Sequence, residues 1–273
     1  MLDRSCYPAD VDLGLGGRAA IITGASRGIG RCVALTLAEE GAHVLLVARG
    51  SDALNQTVDE VRRAGGNAVA MAADVTDPST AALLVERCVS EFGRLDILVN
   101  NAGGGGAKPM AELTNDDWHR EFELNFFAAA RLSAACAEIM CSAGWGRLIH
   151  ISSTSGRRPD VLFAPYSAAK AALANLSVAL SVELAPAGVL SNCVIVGVTE
   201  TELVHDIATA TAERTGTTED SVMARMLART APPTGRFGTP SEIAAAVAFL
   251  AGEQAGWITG ATLAVDGGTL RSV

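Results

Sequence analysis

The chain reads as an α/β protein, a doubly wound sheet of seven parallel strands with helices on both faces. Three observations lead there. Seven short apolar runs recur along the 273 residues, and helical patterns separate nearly every pair of them. The runs are almost continuous in Val, Ile, Leu and Ala, which suits strands buried on both faces. An apolar fraction of 49% against 19% charged residues supplies a large core. Strands that alternate with helices pair in parallel, and right-handed crossovers then wind the chain in both directions.

In order, the strand candidates are residues 18–23, 43–47, 67–71, 97–100, 148–152, 190–195 and 262–265. The helix candidates are 28–40, 53–64, 78–92, 114–140, 164–185 and 241–250. Asp77-Pro78 and Thr239-Pro240 put proline at or near a first helical turn, and Gly41 and Gly65 follow helix ends. No Pro/Ser-rich linker interrupts the pattern, so 14–273 is read as one domain and 1–13 as an N-terminal tail. Residues 201–235 are rich in Thr and Ala and lack sheet character. They follow the sixth strand, on the carboxyl edge where ligands bind in such sheets. This segment is read as a substrate lid.

Charge and composition narrow the partners. The net charge is −9, the pI is near 5.0 and no basic run occurs, which speaks against nucleic acid or an anionic membrane surface. Aromatic residues make up 4%, too few for stacking platforms. The cysteines (Cys6, Cys32, Cys88, Cys136, Cys141, Cys193) form no CxxC pair. Cys32, Cys88 and Cys136 sit in apolar helical patterns, as reduced, buried thiols do. His43, His119, His150 and His205 are dispersed, so no metal site is predicted, and His150 is read as a core imidazole. No apolar core of a secretory leader follows residues 1–6, and no uninterrupted apolar run reaches the ~18 residues of a membrane span. A soluble cytoplasmic protein is expected.

The first strand runs into Thr23-Gly24-Ala25-Ser26-Arg27-Gly28-Ile29-Gly30 and then a helix. Glycines there permit a tight turn and close approach to a pyrophosphate, whose charge the helix N-terminus favours. The spacing is Gly-x-x-x-Gly-x-Gly and differs from the usual Gly-x-Gly-x-x-Gly. The second strand ends in Val47-Ala48-Arg49, without the acid that would accept hydrogen bonds from a free ribose 2′-hydroxyl. Arg49 and Arg27 suit a 2′-phosphate through charge-assisted, bidentate contacts. NADP(H) is therefore the cofactor predicted, ahead of NAD(H). Asp52, three residues past Arg49, is the group that could neutralise it.

Tyr166 and Lys170 are four residues apart and share a helix face, with Ser153 thirteen residues upstream of the tyrosine. An ammonium beside a phenol favours the phenolate and pulls its pKa below the reference of about 10. Such a phenol can exchange a proton with a substrate hydroxyl or carbonyl oxygen.

Taken together these residues resemble the classical short-chain dehydrogenase/reductase family, which has a single-domain Rossmann-type fold. The match spans about residues 17–268. It rests on the glycine turn, Asp74-Val75, Asn100-Asn101-Ala102-Gly103, Asn125, Ser153-x-x-Gly156, Tyr166-x-x-x-Lys170 and Val265-Asp266-Gly267-Gly268. The resemblance implies hydride transfer between NADP(H) and a carbonyl or secondary alcohol. It makes Tyr166 the acid/base and Ser153 the partner of the reacting oxygen. Lys170 would hold the nicotinamide ribose and lower the tyrosine pKa, and Asn125 would anchor a water in a proton relay. For the cofactor it implies Gly24, Ser26, Arg27, Gly28, Ile29 and Gly30 at the pyrophosphate, with Arg49 at the 2′-phosphate. Asp74 and Val75 would meet the adenine, Asn101, Ala102 and Gly103 the adenosine, and Gly197, Val198 and Thr201 the carboxamide end.

Two positions depart from the family pattern. Val196 replaces a usual proline, which frees φ and restores an N–H; a looser loop is expected. Leu190 stands where arginine is common. The resemblance also implies a homotetramer or homodimer, joined through the long helices 114–140 and 164–185 and the C-terminal strand.

Reduction of a ketone or 3-oxoacyl group is the favoured activity. Two other readings stay open, a sugar or secondary-alcohol dehydrogenase working oxidatively, and an NADP(H)-binding regulator without catalysis. Pocket walls are expected from 104–109, 155–163 and 201–235, with Val161, Leu162 and Phe163 giving an apolar surface. Arg157 and Arg158 either meet an acidic substrate group or are solvated charges. A carrier-linked 3-oxoacyl group, a small cyclic ketone, a steroid and a sugar all remain candidate substrates.

Overall fold

A computed structural model describes residues 12–271, and within it the predicted doubly wound sheet is present. The strands are β1 (Ala19–Thr23), β2 (His43–Ala48), β3 (Asn67–Ala72), β4 (Ile97–Asn100), β5 (Gly146–Ser153), β6 (Val189–Val196) and β7 (Thr262–Val265). All pair in parallel in the order β3-β2-β1-β4-β5-β6-β7. The chain reverses its direction of winding between β1 and β4, which opens a crevice at their carboxyl ends. Most of the tail expected at 1–13, and Cys6 with it, lies outside the described residues. The other five cysteines are free thiols, with Cys88, Cys136 and Cys193 buried.

Continuous apolar strands reflect two cores, one on each face. Successive side chains of a strand point to opposite faces. Ala20 and Ile22, with Val44 and Leu46, pack under α1 (Gly28–Glu39), α2 (Ser51–Arg63) and α9 (Pro240–Ala251). Ala19 and Ile21, with Leu45 and Val47, pack under α3 (Thr80–Phe92) and α5 (Ala128–Ala143). Thr239 caps α9 in a reciprocal box with Glu242, as Thr239-Pro240 predicts. By contrast Pro78 stands outside its helix, because Ser79 is the cap and α3 begins at Thr80.

Two expectations gain detail. The stretch 114–140 is helical throughout, over 115–143, but not uniformly α. It runs as α4 (Asn115–Phe122), a π turn (Glu123–Phe127) and α5. The extra residue of a π turn shifts the helical phase without altering composition, so apolar periodicity passes over it. Within 201–235 lie two helices, α7 (Glu202–Thr215) and α8 (Glu219–Thr230). Thr201 and Thr218 cap them by accepting from the N–H groups of Val204 and Ser221, and Gly216 closes α7 at φ 65°. The remaining long helix is α6 (Ala164–Leu184). The helical stretches Asn115–Ala143 and Ala164–Ala187 are long and apolar enough to cross a membrane by length and composition. In the fold they lie against the sheet and carry Asn125, Tyr166 and Lys170.

Candidate active site

A cleft of about 830 Å³ opens at the carboxyl ends of β1, β2, β4, β5 and β6. Its floor at β1 is the glycine turn, built by steric necessity. A Cβ on Gly30 would stand 2.3 Å from the Gly24 carbonyl oxygen, and one on Gly24 would stand 2.8 Å from Asn101 Nδ2. Asn101 donates from Nδ2 to the Thr23 and Gly24 carbonyls at 2.8 and 3.2 Å. Thr23 Oγ1 in turn accepts from the Asn101 and Ala102 N–H groups at 2.9 and 3.0 Å. The turn after β1 and the turn after β4 thus form one rigid unit. Ser26, Arg27, Gly28 and Ile29 line the cleft above it.

Acidic groups from α7 reach this turn. Gly28 N–H donates to Glu202 Oε2 at 3.0 Å, and Arg27 pairs with Asp206 at 2.6 Å. Glu202 and Asp206 are one turn apart on the same helix face. The helix N-terminus therefore already meets an anionic oxygen, as its dipole favours.

Arg49 is exposed at the end of β2 and makes no ion pair among the described residues. Asp52 does not neutralise it; the Asp52 carboxylate accepts from the Ser51 hydroxyl at 3.2 Å. Asp74 accepts from the N–H and hydroxyl of Thr76 at 2.9 and 2.7 Å. Those hydrogen bonds, with Arg49 adding a smaller pull, hold the Asp74 carboxyl below the usual range. Val75 is buried beside it.

Deeper in the cleft lie Ser153, Tyr166 and Lys170, with Asn125 buried behind Gly104. Asn125 is 1% exposed, and its Oδ1 accepts from Gly104 N–H at 3.1 Å while Nδ2 donates to the Gly104 carbonyl at 2.9 Å. Lys170, 3% exposed, donates from Nζ to the Ile151 carbonyl at 2.9 Å and lies 5.8 Å from the centroid of the Tyr166 ring. Ser153 Oγ accepts from Ser155 N–H at 3.2 Å, so its hydroxyl proton remains available to donate, in this structure toward Tyr166.

This packing requires two of the four consecutive glycines, Gly103 and Gly105. A Cβ on Gly103 would stand 2.8 Å from Asn125 Oδ1 and 3.0 Å from Lys170 Nζ. One on Gly105 would stand 2.8 Å from Tyr166 Cγ. The loop lays bare backbone on three site residues at once.

The proton affinity of Tyr166 departs from expectation. Its pKa is raised, first by burial and also by Glu121, while a hydrogen bond with Ser153 pulls it back. The neighbouring Lys170 does not offset that burial; its Nζ donates to the Ile151 carbonyl, and burial pushes its own pKa down to about 8. Position i+4 shares a face with position i; it does not guarantee that the two polar ends meet.

Nor is the loop after β6 loose. Val196 is buried and continues the ladder, opposite Ser153 on β5 and Val265 on β7. Gly197 N–H donates to the Val265 carbonyl at 3.1 Å. Gly197, Val198 and Thr201 line the cleft. Three residues near the site carry no prediction from the sequence, namely Glu121, Glu202 and Asp206. Only Glu121 has a local signal, since it precedes Asn125 by one turn.

Comparison with known proteins gives the chain its relatives. The family model described as short chain dehydrogenase matches residues 18–212. The 3-oxoacyl-(acyl-carrier-protein) reductase of Salmonella typhimurium is 38% identical over 252 residues, covering 92% of this chain and 97% of that protein. L-Sorbose reductase from Gluconobacter frateurii, solved with NADPH and L-sorbose, is 33% identical with a TM-score of 0.92, covering 96% of this chain and 100% of that one. A 7α-hydroxysteroid dehydrogenase solved with NADH and 7-oxoglycochenodeoxycholic acid is 34% identical with a TM-score of 0.86, covering 96% and 97%.

Proposed function

Because the chain belongs to the short chain dehydrogenase family and is an oxidoreductase of CH–OH and C=O groups, we propose that it reduces a ketone or 3-oxoacyl carbonyl with NADP(H). The observation that carries this reading is that Ser153, Tyr166 and Lys170 line one cleft, whose glycine loop packs on Tyr166, Lys170 and Asn125.

The residues present fit a dinucleotide. Gly28 N–H and Arg27 already hold carboxylate oxygens, so the turn offers donors to an anion. Gly24, Ser26, Arg27, Gly28, Ile29 and Gly30 would hold the pyrophosphate, and the unpaired Arg49 the 2′-phosphate. Asp74 and Val75 would meet the adenine, and Asn101, Ala102 and Gly103 the adenosine. Lys170 would hold the nicotinamide ribose, and Gly197, Val198 and Thr201 the carboxamide. When bound, the nicotinamide supplies the hydride that no side chain can provide.

Around it, Tyr166 gives its proton to the substrate oxygen, and the Ser153 hydroxyl donates to that oxygen as charge develops there. A raised phenol pKa keeps Tyr166 protonated and ready to donate, which favours the reductive direction. Lys170, with a water that Asn125 anchors, carries the replacement proton inward.

Two further features belong to this reading. Residues 201–235 act as the lid of one domain spanning 14–273. Glu202 and Asp206 tie the segment to the glycine turn, and Arg229 ties it to Asp160 at 3.3 Å on the loop after β5. Exposed Val178 and Val182 on α6, the latter 76% exposed, support burial of that helix in a homotetramer or homodimer.

Relatives solved with NADPH and with NADH leave cofactor choice to this chain's own residues. We expect at least a tenfold lower KM for NADPH than for NADH, and a narrower gap in Arg49→Ala. A preference for NADH ends the assignment. An NADPH-depletion screen over 3-oxoacyl thioesters, cyclic ketones, steroids and sugars tests the substrate class. Exposed apolar Leu203 lines the cleft, and Val161 (81% exposed) and Leu162 lie on the loop after β5 that reaches the lid; these favour the first three over a sugar.

A further inference from the structure

We propose that Glu121 is a positioning residue of this site: its carboxylate clamps the Asn125 amide and the glycine loop onto the Tyr166 ring. The inference rests on the reading of Tyr166 as acid/base. Glu121 lies in the last turn of α4, half-buried beneath the loop. Its Oε2 accepts from Asn125 Nδ2 at 3.1 Å, and its Oε1 accepts from Gly106 N–H at 3.2 Å.

The polarity of this arrangement is fixed. Gly104 N–H occupies Asn125 Oδ1, so the amide nitrogen of Asn125 must face Glu121. Two N–H donors then converge on two oxygens. A carboxylate accepts both; a glutamine would turn its own NH2 toward one of them. The clamp therefore selects a carboxylate at this position. Between its two anchor points the loop lies against the tyrosine ring, where Gly105 leaves no room for a side chain.

The same carboxylate brings a charge. It raises the pKa of both Tyr166 and Lys170, while burial raises its own. The charged and titratable groups facing it are Arg120 and Asp117 on α4, which pair with each other at 2.6 Å, and Tyr166 and Lys170 on α6. Removing its charge makes the phenol easier to ionise.

The chain has two tyrosines, so a Tyr7→Phe background leaves Tyr166 as the only phenol and its ionisation is read directly by tyrosinate absorbance. In that background Glu121→Gln is expected to lower the Tyr166 midpoint by half a unit or more. Glu121→Asp, one methylene shorter, is expected to keep the midpoint and speed hydrogen exchange at the Gly106 amide at least tenfold. An unchanged midpoint in Glu121→Gln, or unchanged exchange in Glu121→Asp, overturns the proposal. Should Glu121→Gln fail to fold, exchange in Glu121→Asp decides alone. None of these readouts needs a substrate, so they stand apart from the test of Tyr166 as acid/base.

Discussion

Strand β5 has a buried cation near each of its ends, and the two have very different surroundings. At its start Arg147, 4% exposed, stacks with its guanidinium 4.2 Å from the Trp145 ring centroid, and Arg18 lies 3.7 Å from the same ring. Arg147 donates to the carbonyls of Gly146 and Gly252 and leaves its Nε without a partner. Burial and the nearby Arg18 push its pKa down to about 10. At the other end Lys170 donates to the Ile151 carbonyl and is pushed down to about 8. Both cations are perturbed by burial, yet only Lys170 lines the cleft, beside a phenol, an amide and a carboxylate. A shifted cation records how it is packed. Titratable neighbours and an opening are what turn it toward chemistry.

That contrast can be broken or sharpened by substitution. The largest effect is expected for Tyr166→Phe, with turnover falling about a thousandfold and cofactor affinity kept. Steady-state rates beside a cofactor titration check it, and near-wild-type turnover would remove the assigned role. Next comes Lys170→Met, for which about a hundredfold loss of turnover and weaker cofactor binding are expected in the same assays.

His150 lies between the two cations on β5, fully buried, and contacts Asn100 and Ser191. Burial, helped by Lys170, pushes its pKa from 6.5 to about 4. Between those values the unfolded chain binds a proton that the folded chain refuses, so stability falls as pH falls through that window. The loss should reach about 2 kcal/mol by pH 5 and be absent in His150→Gln, as read from denaturant midpoints.

The smallest effect is expected for Arg147→Met. Replacing a buried cation that has no acidic partner should leave stability unchanged or about 1 kcal/mol higher. Turnover should stay within about threefold of wild type. A large loss of turnover there would abolish the distinction between the two ends.

Legibility in the sequence divides in the same way, between local and distant causes. The seven strands are legible because each is written largely in one apolar residue class, the central ones buried on both faces. Glycine spacing locates the turn after β1, and the order of motifs locates the cleft. The π turn is hidden because it inserts a residue without changing the apolar pattern around Asn125. The helices of 202–230 are hidden because their Thr- and Ala-rich faces carry little contrast, although Thr201, Gly216 and Thr218 mark their ends. The acids at the site are out of reach, since Glu121 meets Gly106 across 15 residues and Glu202 meets Gly28 across 174. The sign of the Tyr166 shift escapes the sequence for a related reason. Spacing reports a neighbour, whereas desolvation depends on everything packed around the ring.

The π turn between α4 and α5 also constrains how this chain can change. Each residue added to or removed from a helix rotates the downstream segment by about 100°. Upstream of the turn, Glu121 addresses the glycine loop; downstream, Leu132, Cys136 and Met140 address the sheet. The turn sets the angular offset between those two duties. A single-codon deletion within 123–127 would leave one of them facing the wrong way, so this stretch cannot drift in length as the exposed loops can.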